Sequence, residues 1–253
     1  MLNEYYVLNN GLKIPKIGLG TWLIDNDKVY DVVKTALDLG YRHIDTAQAY
    51  ENEEGVGRAI KDSGIKREDI FITSKIKAEH KTFDEAYDSI DKSLSTMGLD
   101  YLDLMIIHSP EPWAEFRGDK KYFKENVEVW KALEKAYREG KVKAIGLSNF
   151  LIDDIDNILK NAEIKPMVNQ ILTHISNTKS GLIDYLNKND ILVEAYSPIA
   201  HGAALNNKTI IQMADKYHVS VAQLCIRYIL ELGLVVLPKA SSRAHLEQNA
   251  DVD

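Results

Sequence analysis

The chain has 253 residues and a formal net charge of −7, with 45% hydrophobic and 27% charged residues, the balance of a globular protein in water. No basic block offers a footprint for nucleic acid, no apolar run approaches the roughly 18–20 residues of a membrane span, and the N-terminus carries no signal-peptide core. The single cysteine, Cys225, sits at a core-facing helical spacing and excludes an intrachain disulfide, so a cytoplasmic protein is expected.

In chain order, "YYVLNNGLKIP" places Asn10-Gly11 between two short alternating segments, a hairpin signal. "KIGLG" from Lys16 reads as the first of a series of short apolar strands. Val29, Val32, Val33, Ala36 and Leu37 then share one face of a helix. After it the pattern repeats as helix, glycine stop, strand: "LDLG" before "YRHIDT", "DSG" before "DIFITSK", "LSTMG" before "DLMIIHS", "EG" before "VKAIGLSN", and "LELG" before "LVVLPK". "MVNQ" from Met167 and "ILVEAYS" from Ile191 fill the gaps. Thr82 with Glu85 and Ser220 with Gln223 are capping-box pairs that start helices. Eight strands alternating with helices over about 250 residues predict an α/β fold, a closed (β/α)8 TIM barrel whose bottom the hairpin plugs. No linker divides the chain, so one domain, 1–253, is expected.

Such barrels gather their chemistry at the C-terminal ends of the strands. Those ends are Gly20-Thr21-Trp22, Asp45, Lys75, His108, Ser148-Asn149, Gln170, Tyr196-Ser197 and Lys239. Any one of them is explained by a chain meeting water, and Asp45 alone by a cap. Asp45, Lys75 and His108, however, end strands two, three and four, and Tyr50 follows in the first of the intervening loops. A phenol is a poor acid at neutral pH. An ammonium such as Lys75 stabilises its phenolate, an acid such as Asp45 keeps that lysine charged, and His108 adds a hydrogen-bonding group. The set suits proton donation to an oxygen gaining negative charge. A strand-end lysine also admits a Schiff-base lyase or aldolase built on Lys75, and a barrel can be kept as a cofactor-sensing regulatory subunit.

The tetrad Asp45, Tyr50, Lys75 and His108, set in "GYRHIDTAQAYENEEGVG", "ITSK" and "MIIHSP", resembles the aldo-keto reductase superfamily. "GLGTW", "VKAIGLSNF" and "LVVLPKASS" extend the likeness from about Lys16 to the C-terminus. The resemblance implies NAD(P)H-dependent reduction of small aldehydes and ketones, without a metal, and a monomer is expected. It makes Tyr50 the general acid, Lys75 and Asp45 its tuning pair, and His108 the holder of the carbonyl. It places the nicotinamide on Tyr196, with Ser148, Asn149 and Gln170 at its carboxamide, and Gly20, Thr21 and Asp45 close by. Ser197, Lys239, Ser241, His245 and Asn249 fall on the phosphate side, and Trp22 and Trp113 on the substrate side with Tyr50 and His108. NADP(H) is expected to be preferred and NAD(H) usable, because Lys239 persists while His245 stands where the family commonly has arginine.

The likeness also disposes of "GLG" at Gly18 and "GVG" at Gly55 as dinucleotide fingerprints, since the family binds its cofactor without one. "GVG" reads as close helix packing. Three departures bear on the substrate. Ser109-Pro110 follows His108 where the family often has tryptophan, and Lys77 takes the place of an aromatic. Trp113, Phe116, Tyr122 and Phe123 are available to fold back over the rim. Many members continue into a final helix and a gripping tail, so the eighth outer helix is expected to be incomplete.

Overall fold

Short strands that are apolar on both sides can be satisfied only with cover on both faces, and here helices supply the outer one. The computed structural model describes residues 1–253. A hairpin of β1 (Tyr5–Val7) and β2 (Lys13–Pro15) is followed by eight parallel strands: β3 (Leu19–Gly20), β4 (His43–Asp45), β5 (Phe71–Ile76), β6 (Leu104–Ile107), β7 (Ile145–Ser148), β8 (Val168–Leu172), β9 (Leu192–Tyr196) and β10 (Val235–Leu237). Neighbours in sequence are neighbours in the sheet. Parallel bridges from Ile17 to Val236 and from Gly20 to Lys239 bring the last strand back against the first, so the eight strands form a nearly closed (β/α)8 barrel.

The helical ring follows the expected stops and starts. The predicted face of α1 (Asn26–Asp38) is buried at all five positions, and both capping boxes form, at the starts of α3 (Phe83–Met97) and α8 (Val221–Glu231). Gly98 shows why glycine ends these helices: its φ of +64° caps α3 in the left-handed region, where a Cβ is costly. The hairpin closes the bottom as expected. Asn9 donates to the carbonyls of Pro166 (2.9 Å) and Asp190 (3.0 Å), and Asn10 to that of Lys143 (2.9 Å), all on segments that lead into barrel strands.

The final helix, α9 (Arg243–Ala250), is only eight residues long, yet it is docked. Its Leu246 is buried, and the Leu246 carbonyl accepts a hydrogen bond from the buried Tyr41 hydroxyl at 2.8 Å. Cys225 is fully buried in α8, as its spacing predicts.

The "GVG" segment lies within α2 (Glu53–Asp62) and holds helices together. A Cβ on Gly55 would lie 2.5 Å from the Asn26 carbonyl oxygen of α1, and one on Gly57 only 2.2 Å from the Met97 carbonyl oxygen of α3. Gly57→Ala therefore forces α2 away from α3 and is expected to cost about 1–3 kcal/mol, seen as a fall of roughly 3–10 °C in Tm by thermal unfolding. An unchanged Tm would show that the two helices separate freely.

Candidate active site

Alternation along the strands turns His43 and Asp45 of β4, and Thr73 and Lys75 of β5, to the inside of the barrel. Barrel interiors are usually filled by branched apolar residues. Here Asp45, Lys75, Gln170, Glu194, His43 and Thr73 are all less than 5% exposed. An interior this polar must satisfy its own hydrogen bonds.

Lys75 is the centre of it, with no exposed side-chain surface. Its ammonium donates to Asp45 Oδ2 at 2.6 Å, to the Thr46 carbonyl at 2.8 Å and to the Tyr50 phenol oxygen at 3.2 Å. All three N–H bonds are thereby used. Because the Tyr50 oxygen accepts from Lys75, its own O–H remains available to a ligand. Burial alone would pull the Lys75 ammonium down, but the Asp45 charge and the hydrogen bonds to Asp45 and Tyr50 outweigh it and hold it above its usual value. A lysine held charged and fully engaged cannot act as an imine-forming amine, which removes the lyase reading.

Burial raises the Tyr50 phenol and outweighs the lowering by Lys75. The ammonium thus acts in the expected direction, but the tyrosine keeps its proton more firmly than sequence alone implies. His108 is driven well below the usual histidine range, first by burial and then by the Lys75 charge. It is neutral at physiological pH. Its Nδ1 is buried without a partner, leaving Nε2 as the ring nitrogen able to meet a ligand. The His108 ring meets Tyr50 edge-on at 5.6 Å and Trp113 at 5.1 Å, so all four members of the tetrad converge.

The other strand-end residues form a connected rim. Ser148 Oγ donates to the Gln170 carbonyl (2.9 Å), Asn149 Nδ2 to Ser148 Oγ and the His108 carbonyl (3.1 Å each), and the Tyr196 hydroxyl to Asn149 Oδ1 (2.8 Å). Asn149 and Ser197 hold φ values of +64° and +52°, a left-handed backbone that is uncommon outside glycine and clusters at functional sites. The Thr21 hydroxyl and backbone N–H both donate to the Asp45 carbonyl at 3.0 Å, which ties the end of β3 to that of β4. Gly20 bridges Lys239 across the closing seam. On the far side Lys239, Ser241 and His245 are exposed, the last in the first turn of α9, while Asn249 is buried.

The rim expected to face substrate is more aromatic than Ser109 and Lys77 suggest. Trp113 is 39% exposed and packs on Phe116 at 5.3 Å, and Trp22, 45% exposed, meets His201 at 5.5 Å. Tyr122 is buried instead, and Phe123 opens α4 (Phe123–Arg138). The Lys77 charge acts on Glu53 and His80, away from the tetrad.

Four contributors escape a reading of strand ends. The Thr46 carbonyl is backbone and has no sequence signal. Glu194 and His43 lie a layer below the mouth, and their signal is a polar residue inside an apolar strand. Lys81 donates to the carbonyls of Ser109 (3.2 Å) and Pro110 (3.0 Å) and to Asn126 Oδ1 (3.0 Å), clamping the segment that follows His108. Burial brings its ammonium down to about 8.

A family model described as "Aldo/keto reductase family" matches residues 16–252. The chain is 42% identical over 252 residues to a glyoxal reductase of Bacillus subtilis (strain 168), covering 99% of this chain and 87% of that one. An aldo/keto reductase from Brucella melitensis superposes with a TM-score of 0.91 at 39% identity, over 98% of this chain and 93% of the other. A Bombyx mori aldo-keto reductase in complex with NADP gives 0.89 at 32% identity, over 100% and 88% of the two chains. The chain belongs to the aldo/keto reductase family. It is an oxidoreductase of the kind that reduces carbonyl groups with a nicotinamide cofactor.

Removing Lys75 should expose its dependence on Asp45. Lys75→Met leaves the Asp45 carboxylate buried and unpaired, at a cost of about 3–5 kcal/mol in urea unfolding. Adding Asp45→Asn removes the stranded charge and is expected to recover roughly 1–2 kcal/mol of that loss. Strictly additive losses would show the pair to be uncoupled.

Proposed function

We propose that this chain reduces small reactive aldehydes and α-dicarbonyls, with Tyr50 as general acid, Lys75 and Asp45 as its tuning pair, and His108 orienting the carbonyl. The observation that carries the reading is the Lys75 ammonium bonded at once to Asp45 and to the Tyr50 oxygen, with the phenol proton left free. The nicotinamide cofactor, when bound, supplies the hydride. Neutral His108 donates Nε2–H to the substrate oxygen and holds it beside Tyr50. As negative charge grows on that oxygen, the Tyr50 proton moves to it, and Lys75 stabilises the phenolate left behind. Asp45 keeps Lys75 charged throughout.

The residues present suit such a cofactor. Tyr196 is half-buried with its hydroxyl tethered, so a ring face is available for stacking. Ser148, Asn149 and Gln170 present amide and hydroxyl groups beside it, with the Gly20-Thr21 backbone and Asp45 adjoining. Ser197, Lys239, Ser241 and His245 offer a cation and polar donors for phosphates, and Asn249, buried on α9, serves from behind. NADPH is preferred and NADH is used. The protein works as a cytoplasmic monomer of one domain, with neither metal nor nucleic acid.

The rim supports breadth. Trp22 and Trp113 offer flat apolar walls, and few polar groups are placed to select one substrate, so no single aldehyde should be preferred by as much as roughly 10⁴-fold. The likeness to a glyoxal reductase favours short dicarbonyls among them.

Two measurements test the reading. Tyr50→Phe should lower kcat for methylglyoxal by roughly 10²–10⁴-fold while leaving cofactor affinity unchanged; near-normal turnover would refute the assignment. His245→Arg should tighten NADPH in fluorescence titrations and leave NADH nearly unaltered, because a guanidinium adds a charged fork for the 2′-phosphate. A wild-type protein that binds NADH more tightly at every pH would overturn the cofactor reading.

A further inference from the structure

Under the tetrad lies a carboxyl group that the chemistry above does not use. Glu194 is fully buried in the middle of β9, opposite Gln170 in the β8–β9 register. The side-chain amide of Gln170 is shared: its Nε2 donates to Asp45 Oδ1 at 2.8 Å and to Glu194 Oε2 at 3.1 Å. The Asp45 carboxylate fixes the amide orientation, since the amide oxygen turned toward it would be repelled. Asp45 is thus held on both sides, by Lys75 through Oδ2 and by Gln170 through Oδ1.

We propose that Glu194 is a positioning residue for the tetrad, acting on Asp45 through the shared Gln170 amide and setting how much negative charge stands behind Lys75. The proposal rests on the reading of Tyr50 as general acid.

The groups facing Glu194 can all be named. From β4 come Asp45 and His43, from β5 Lys75 and from β8 Gln170, while its register partner on β10 is the apolar Val235. The nearest cationic candidate, His43, has its Nε2 3.7 Å from Glu194 Oε1, beyond hydrogen-bond reach, and that Nε2 is already 3.1 Å from Thr73 Oγ1. Burial drives His43 down to about 3, so it stays neutral. Glu194 Oε1 has no hydrogen-bond partner. A carboxylate with one amide donor and no paired cation is poorly solvated here. Burial, then the Asp45 charge, push the Glu194 carboxyl up to about 8.

Below that pH the cluster holds Lys75 against one carboxylate. Above it, two carboxylates share the one ammonium. The phenolate left by Tyr50 would then be a third negative charge, and proton donation slows. The sign for stability follows from the same shift. A carboxyl raised in the folded state gives most stability below its unfolded value near 4.5, and loses it as pH climbs towards 8.

The test is the pH profile of kcat for methylglyoxal reduction with saturating NADPH, in wild type, Glu194→Gln and Lys81→Arg. Wild type should lose roughly ten-fold in kcat through a step near pH 8, the size of effect one added charge has at this range. Glu194→Gln keeps an acceptor for Gln170 and should abolish that step. Lys81 titrates in the same range but bonds Ser109, Pro110 and Asn126, so Lys81→Arg, which stays charged, should keep it. A Glu194→Gln profile that superimposes on wild type, or a step lost in Lys81→Arg instead, overturns the proposal. Infrared titration of the wild-type protein is independent of any variant: a carboxylic-acid band should vanish with a midpoint near 8, and its absence overturns the proposal too. Loss of turnover in Tyr50→Phe beside an unchanged Glu194→Gln profile defeats the Glu194 proposal alone. Active Tyr50→Phe defeats the function on which it rests.

Discussion

A lysine with no exposed surface, bonded to an aspartate on the neighbouring strand, is the constraint to which the rest of this molecule answers. Taking an ammonium and a carboxylate out of water costs several kcal/mol each, and their attraction returns this only with good geometry and further hydrogen bonds. Both conditions depend on the closed barrel. Adjacent parallel strands pair Asp45 with Thr73 and put Lys75 on the same face two residues on, within reach of Asp45, and the turn after β4 brings round the Thr46 carbonyl and the Tyr50 oxygen. Stability comes from elsewhere, from the apolar shell between strands and helices in which Trp130, Phe150, Ile72 and Met105 are buried. The outer layer supports an inner one that is unfavourable in isolation.

That division explains what the sequence disclosed. Strands buried on both faces read as apolar runs, so a polar residue in one is conspicuous, and Asp45, Lys75 and His108 stand out at the strand ends. Helix stops were legible because glycine is the residue that tolerates the left-handed cap, as at Gly98. The capping boxes at Thr82 and Ser220 are local in sequence and were legible for the same reason. What was hidden is what depends on depth. The upward shift of the Tyr50 phenol comes from burial, which periodicity does not measure, and the Thr46 carbonyl is a backbone group common to every residue type. Glu194 differs from Asp45 only in lying one layer deeper, where a strand-end search does not look.

The loops divide the work differently. The segments after Lys75 and His108 depart from the family's commonest pattern at Lys77 and Ser109, yet Trp113 and Phe116 restore an aromatic wall from farther along the loop after His108. Holding that wall falls to Lys81, whose three hydrogen bonds reach Ser109, Pro110 and Asn126, and to Glu79, which accepts the Trp113 backbone N–H at 3.3 Å. The barrel sets the reaction, and paired loops set what enters it.

Desolvation then sorts the titratable groups in and below the mouth by one rule. A lone group in a dry site keeps its neutral form, so Tyr50 retains its proton while His108 and His43 lack their second. Lys75 escapes the rule because Asp45 and Tyr50 offset its burial. The result is a neutral acid and a neutral imidazole flanking a compensated cation. A carbonyl oxygen that gains electrons in that setting meets two fixed hydrogen-bond donors and an ammonium directly behind one of them. In the proposed reaction its proton comes from Tyr50, because His108 as a neutral donor is far too weak an acid to yield its N–H. The proposed division between a residue that gives the proton and a residue that holds the oxygen therefore follows from burial, acting on two ring side chains 5.6 Å apart.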